Sequence, residues 1–176
     1  MNAAKNEGRK MADQLLNANT EVTGRNLVVF SLDDQRYAVA LSSVKRSIRV
    51  VAITPLPAAP PIVLGIIDLG GEVIPVINIR KRFNHAPRDL RLSDHLVIVM
   101  AGKRTVALLV DETKGVIEAS PESYAPAGGI LPRLEFVDGA VKLDDGLILI
   151  HDLDSLLSLD EDKAIDRALG GEGRNG

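Results

Sequence analysis

The 176-residue chain has no cysteine and no tryptophan, and only three phenylalanines and two tyrosines. Without thiols it can form no disulfide, no thiolate metal site and no cysteine nucleophile, which fits a reducing compartment such as the cytoplasm. Few aromatics and a net charge of −3 leave little for base stacking or phosphate neutralisation, so nucleic acid is not expected as a partner. No apolar run reaches the roughly 20 residues of a membrane span, and residues 1–22 lack an apolar core of signal-peptide length. Direct membrane insertion is therefore not expected. Histidine is scarce as well: His85, His95 and His151 lack the i, i+4 spacing that places two imidazoles on one helical face, and they read as surface residues rather than metal ligands. No serine sits in a Gly-x-Ser-x-Gly elbow. Gly102-Lys103 is followed by Arg104 where a phosphate-binding loop needs Ser or Thr, and reads as a hairpin turn. Asp33-Asp34, Asp144-Asp145 and Asp152 with Asp154 are carboxylate pairs, but each falls in a turn or at a helix start, where turn and cap roles account for it. No catalytic, cofactor-binding or metal-binding residue is expected, and a binding module is favoured over an enzyme.

What the chain does contain is a series of short apolar runs punctuated by turn formers. A chain of this length buries roughly two thirds of its unfolded surface, enough for one domain or two small barrels with a common interface. Residues 27–32 and 36–41 flank Asp33-Asp34-Gln35 as a first hairpin. Ser42-Ser43 suits the cap of a brief helical turn before a strand-like run over 44–51. Pro55, Pro57, Pro60 and Pro61 then hold an extended connection. Residues 96–100 and 105–110 are nearly continuous apolar runs, the pattern of strands buried on both faces, and are expected at the centre of the core. A short strand over 116–119, a loop over 120–132 and a hairpin from 133–143 to 146–150 through Asp144-Asp145-Gly146 follow. Asp152 as N-cap, with Leu153, Leu156, Leu157 and Leu159 at helical spacing, predicts a closing helix. Residues 1–24 read as a mobile tail and 160–176 as a charged, Gly-rich tail that extends that helix. This is a mainly β chain, either small barrels or a sandwich.

The stretch around which the rest is arranged is GIIDLGGEVIPVINIRKRF, residues 65–83. Two apolar arms flank Gly70-Gly71, a pair suited to the primed turns that need positive φ. Pro75 cannot donate a ladder hydrogen bond, so its arm must be an edge there, carry a bulge or turn that position away from its neighbour. Arg80, Lys81, Arg82, Arg88 and Arg91 form the densest basic region, read as a solvated rim or, alternatively, as a docking patch for an acidic partner.

The arrangement of Gly65, Gly71, Pro75, Val76, Arg80 and Phe83 resembles the signature of the CheW-like chemotaxis coupling proteins. Over residues 25–159 the resemblance implies two small five-stranded SH3-like β-barrels sharing a core, with a C-terminal helix. It implies a non-catalytic adaptor whose partners are the regulatory domain of a CheA-type histidine kinase and the tips of methyl-accepting chemotaxis receptors. Carried over position by position, its contact region falls on Val44, Arg46, Ser47, Gly65, Asp68, Gly70 and Gly71. Asp68 and Gly70 stand where the family usually has Asn and Arg, and Arg46-Ser47 where it commonly has an acidic residue followed by Ile. These departures imply a specialised partner set. A stand-alone kinase regulatory domain, a truncated coupling-and-receiver fusion and a small β-barrel enzyme are the alternative readings.

Overall fold

Strand β1 (Arg25–Leu32) is apolar from Leu27 onward except at Ser31, and both of its faces are buried. It divides its side chains between two cores. Leu27 and Val29 join Ala38, Val141, Ile148 and Ile150 in one cluster, while Val28 and Phe30 join another. The same division recurs in β6 (His95–Ala101) and β7 (Arg104–Val110). Leu96, Ile98 and Ala107 meet Ile67, Ile74 and Val76 in a third cluster, whereas Val97, Val99, Val106 and Leu108 meet Val28 and Phe30. Two clusters fill two barrels and the one between them is shared.

The computed structural model describes residues 24–127 and 135–172; residues 1–23 of the N-terminal tail, residues 128–132 of the 120–132 loop and the last four residues of the C-terminal tail lie outside the described residues. The remaining strands are β2 (Gln35–Ala40), β3 (Val44–Arg49), β4 (Val63–Leu69), β5 (Glu72–Ile77), β8 (Glu112–Ala119), β9 (Tyr124–Pro126), β10 (Val137–Leu143) and β11 (Gly146–His151). Helix α1 spans Ile79–Arg82 and helix α2 Leu159–Glu172. One sheet runs β8-β1-β2-β11-β10-β9 and the other β3-β6-β7-β5-β4. The expected pair of small SH3-like barrels with a common core is thus present, the first carrying β9 as a sixth, three-residue strand inside the stretch read as loop.

Several boundaries differ from the sequence reading. Gln35 pairs with Leu32, so the first hairpin closes through Asp33-Asp34 alone, with Asp33 at φ 52°. A 3-10 turn does occupy Leu41–Ser43, but no side chain caps it. Strand β8 begins at Glu112 because its register slips opposite Val29 and Phe30, which absorbs Lys114 and Gly115 as a bulge. The leucine spacing misplaces the closing helix. Leu153 and Leu156 are plugs in the shared core, held by turns in which Asp152 Oδ1 accepts from Asp154 N at 3.0 Å. Helix α2 starts afterwards, on a capping box: Glu161 N donates to Ser158 Oγ (3.1 Å) and Ser158 N to Glu161 Oε2 (2.9 Å). Leu159, counted in the apolar stripe, is 77% exposed.

The central hairpin is β4-β5. Gly70 and Gly71 have φ of 64° and 90°, the two positive values of a type I′ turn. Pro75 is accommodated by register. It faces Ile66, whose N–H and C=O both bond Thr54 on the other side (2.8 and 2.9 Å), so that pair exchanges no hydrogen bond. Pairing of β5 with β7 begins one residue later, at Val76. The missing N–H therefore removes no ladder bond. Gly65 is required by a close approach: a Cβ there would lie 2.3 Å from Thr54 O and 2.8 Å from Ile53 Cγ2. Gly65→Ala is expected to lower the unfolding free energy by about 2 kcal/mol. An unchanged urea midpoint would contradict that crossing.

Candidate protein-binding surface

The residues expected to contact partners lie on β3, β4 and the hairpin tip. Both strands are edges of the second sheet. Residue Lys45 is an extra residue in β3, since Val44 pairs with Val99 and Arg46 already with Ile98. Such a bulge re-aims the side chains that follow it. Val44 is half-buried and packs on the shared core, while Arg46 and Ser47 are exposed. Ser47 Oγ lies 2.8 Å from Thr113 Oγ1 of β8, which directs it toward the first barrel. Lys45 Nζ donates to Thr105 Oγ1 (2.6 Å) and stands 3.9 Å from Glu72 at the base of the hairpin tip.

At the tip, Asp68 Oδ1 accepts from Gly71 N at 2.7 Å, closing the turn. Asp68, Gly70 and Gly71 are all exposed, so this turn is presented to solvent with a fixed shape. Gly65 is buried beneath Ile53 and Thr54, where it shapes the hairpin rather than offering surface. The seven positions thus divide into three places: an exposed pair on β3 beside half-buried Val44, a rigid turn, and a buried crossing point.

The basic region is not a solvated rim, because three of its five cations are consumed internally. Arg80 donates to Asp33 (2.9 Å) and Asp111 (2.7 Å), and Arg88 to Asp94 (2.7 Å) and Asp111 (2.5 Å). Arg82 donates to Glu161 at 2.6 Å. Lys81 and Arg91 alone make no ion pair among the described residues. Asp33 belongs to the turn of the first barrel, whereas Arg80 and Asp111 flank the second. The network therefore bolts one barrel to the other. Hydrogen bonds from Arg80 and then His85 hold the Asp33 carboxyl well below the usual range. At Asp111 burial pushes upward, but Arg80, the Asp33 N–H and Arg88 bring the net shift down.

Phe83 completes the junction. Its ring stacks on His151 with centroids 3.7 Å apart and meets Tyr37 at 5.0 Å. Tyr37 Oη lies 2.5 Å from His85 Nε2, and His85 Nδ1 lies 3.0 Å from Asp33, so Nδ1–H donates to the carboxylate and Nε2 is left to accept from the phenol. In a chain with so few aromatics, Phe30, Tyr37 and Phe83 are gathered here with two histidines. His151 is not a surface histidine. Its Nδ1–H donates to Phe136 O (2.9 Å), its Nε2 is buried without a partner among the described residues, and burial depresses its pKa to about 4. The Arg80 and Phe83 of the signature are thus explained by the packing of one barrel on the other. Far separation in the chain, 47 residues between Arg80 and Asp33, hid this from sequence inspection.

A family model, that of the CheW-like domain, matches residues 26–161. The chain belongs to the CheW-like family. Chemotaxis protein CheW of Bacillus subtilis is 30% identical over 138 residues, covering 77% of this chain and 88% of the relative. Probable chemotaxis protein CheW of Rhizobium etli is 29% identical over 142 residues, covering 80% and 92%. Among solved structures, the crystal structure of the scaffolding protein CheW from Thermoanaerobacter tengcongensis matches with a TM-score of 0.70 at 31% identity, over 78% of this chain and 95% of that one. CheW-like proteins are non-catalytic adaptors of chemosensory signalling, and coupling is the function of this chain. No helix among the described residues is long and apolar enough to cross a membrane.

Proposed function

We propose that this scaffold joins methyl-accepting chemotaxis receptor tips to the regulatory domain of a CheA-type histidine kinase, in the cytoplasm and recruited to receptor complexes. The observation that carries the reading is the match to the CheW-like domain across both barrels, 26–161. Coupling requires two contacts at once, and the two exposed places described above supply candidates. One is the β3 pair Arg46 and Ser47 beside Val44; the other is the Asp68–Gly71 turn. Each contact need bury only about 1,000 Å² or less, because simultaneous engagement multiplies weak affinities.

Arg46 is the position that sets partner choice. A guanidinium where the family resemblance implies a carboxylate reverses the local field, and like charges facing each other disfavour the wrong partner. Val44→Asp would confuse binding with folding, since Val44 packs on the shared core. Arg46 is exposed, so Arg46→Glu tests recognition alone. Co-purification from the native cell should recover a histidine kinase and receptors with the unaltered chain. Arg46→Glu should shift recovery toward a paralogous set. No kinase or receptor with the unaltered chain would overturn the coupling role; identical recovery with both would overturn the role of Arg46.

A further inference from the structure

Helix α2 continues to Glu172, past residue 161 where the family domain ends. It is nevertheless docked. Ile165 is fully buried and Ala168 nearly so. Arg82 holds Glu161 at 2.6 Å, Arg104 Nε holds Asp162 at 2.7 Å, and the Arg104 fork also pairs with Asp166. The two partners are unequal in the Arg104 pairs, whereas Glu161, 23% exposed, is nearly as sunken as Arg82. Arg82 and Arg104 are sunk into the surface, with side chains 16% and 17% exposed, whereas Asp162 and Asp166 are 45% and 64% exposed. The cations belong to the barrel face, and the carboxylates of Asp162 and Asp166 stand at its rim on the helix.

One flank of the helix is open. A cleft of about 530 Å³ runs between α2 and the central hairpin, with Glu72, Val73 and Pro75 on one side and Asp162 and Asp166 on the other. Water therefore reaches the Arg104 pairs, and exposed pairs of this kind orient a ligand without contributing much stability. Beyond them, the helix buries Ile165 completely and Ala168 almost so, with Ala164 and Leu169 half-buried, a short apolar stripe for a helix of 14 residues. Such a contact is specific in geometry and weak in strength.

We infer that this face of the second barrel is a binding site for an acidic amphipathic helix, and that α2 is its resident occupant, displaced when a partner presents a helix of the same chemistry. The fit can be read from the occupant. It needs carboxylates at i and i+4 for the planar Arg104 fork, as Asp162 and Asp166 supply, a third at i−1 for Arg82, and an aliphatic residue at i+3 for the slot of Ile165. The cleft reaches the base of the Asp68–Gly71 turn through Glu72 and Val73, but none of Arg46, Ser47, Asp68, Gly70 or Gly71 lines it, and the inference does not depend on the coupling reading.

The test uses the full chain and a labelled peptide of residues 157–172. In the unaltered protein the tethered helix outcompetes the peptide through its high effective concentration. Asp162→Lys with Asp166→Lys, in the full chain, should raise amide exchange across α2 by at least about tenfold while barrel amides keep their protection, and should tighten peptide binding by at least about tenfold. Adding Arg104→Glu restores pairing to the lysines and should close the site to the peptide again. Should the double lysine chain lose barrel protection, Asp162→Asn with Asp166→Asn gives the same two readouts without charge reversal. Unchanged exchange in α2, or a helix that detaches while peptide binding stays as weak as in the unaltered chain, would overturn the inference.

Discussion

Replacing Arg80 with Ala should cost about 3 kcal/mol of stability at neutral pH, far more than an ordinary surface ion pair. The guanidinium is buried, and it contacts the carboxylates of Asp33 and Asp111 and the Ala86 carbonyl at once. Removing it leaves two carboxylates facing each other without their common cation. Asp33 is half exposed and can hydrate, and Asp111 keeps Arg88, so the cost falls at the lower end of that for breaking a buried pair. Arg80→Lys should recover only part, because a single ammonium cannot fork two carboxylates. Urea unfolding of the three proteins checks this. A loss below about 1 kcal/mol for Arg80→Ala would put the network among surface pairs and remove its role as the bolt between barrels.

Architecture was legible where local pattern and tertiary demand agree. Residues 96–100 and 105–110 read as strands buried on both faces, and they became the middle of the second sheet with one face in the barrel and one in the shared core. Gly70-Gly71 read as a primed turn and formed one, since only two positive φ values close so short a hairpin. The closing helix was misplaced because Leu153 and Leu156 satisfy the same core from a turn as they would from a helix, and spacing cannot distinguish the two. The signal that does, Ser158 followed three residues later by Glu161, was in the sequence and outweighs the leucines. Contact positions were carried by resemblance alone. Nothing local in Arg80 or Asp33 announces a partner on the other barrel, and nothing local in His151 announces burial beside Phe83.

His151 makes stability depend on pH in a window that no carboxylate of the network shares. Its pKa falls from 6.5 to about 4 because burial opposes the charged ring, an effect only partly offset by the bond to Phe136 O. Between those values the unfolded chain binds a proton that the folded chain refuses, so stability is full above pH 6.5, falls as pH drops toward 4 and levels off below. The whole shift amounts to roughly 3 kcal/mol. Asp33 and Asp111, held below their usual range, lose their contribution only as pH falls through and below the ordinary carboxylate value of 3.8. The two effects are therefore separable. His151→Phe should cost about 1 kcal/mol at pH 7 through the lost bond to Phe136, yet flatten the stability profile from pH 6.5 down to about 4. At about pH 4.5 the variant should match or exceed the unaltered protein in urea. Parallel profiles for the two chains across that window would mean the imidazole is hydrated or paired in the folded state, and that the aromatic junction between the barrels is open to water.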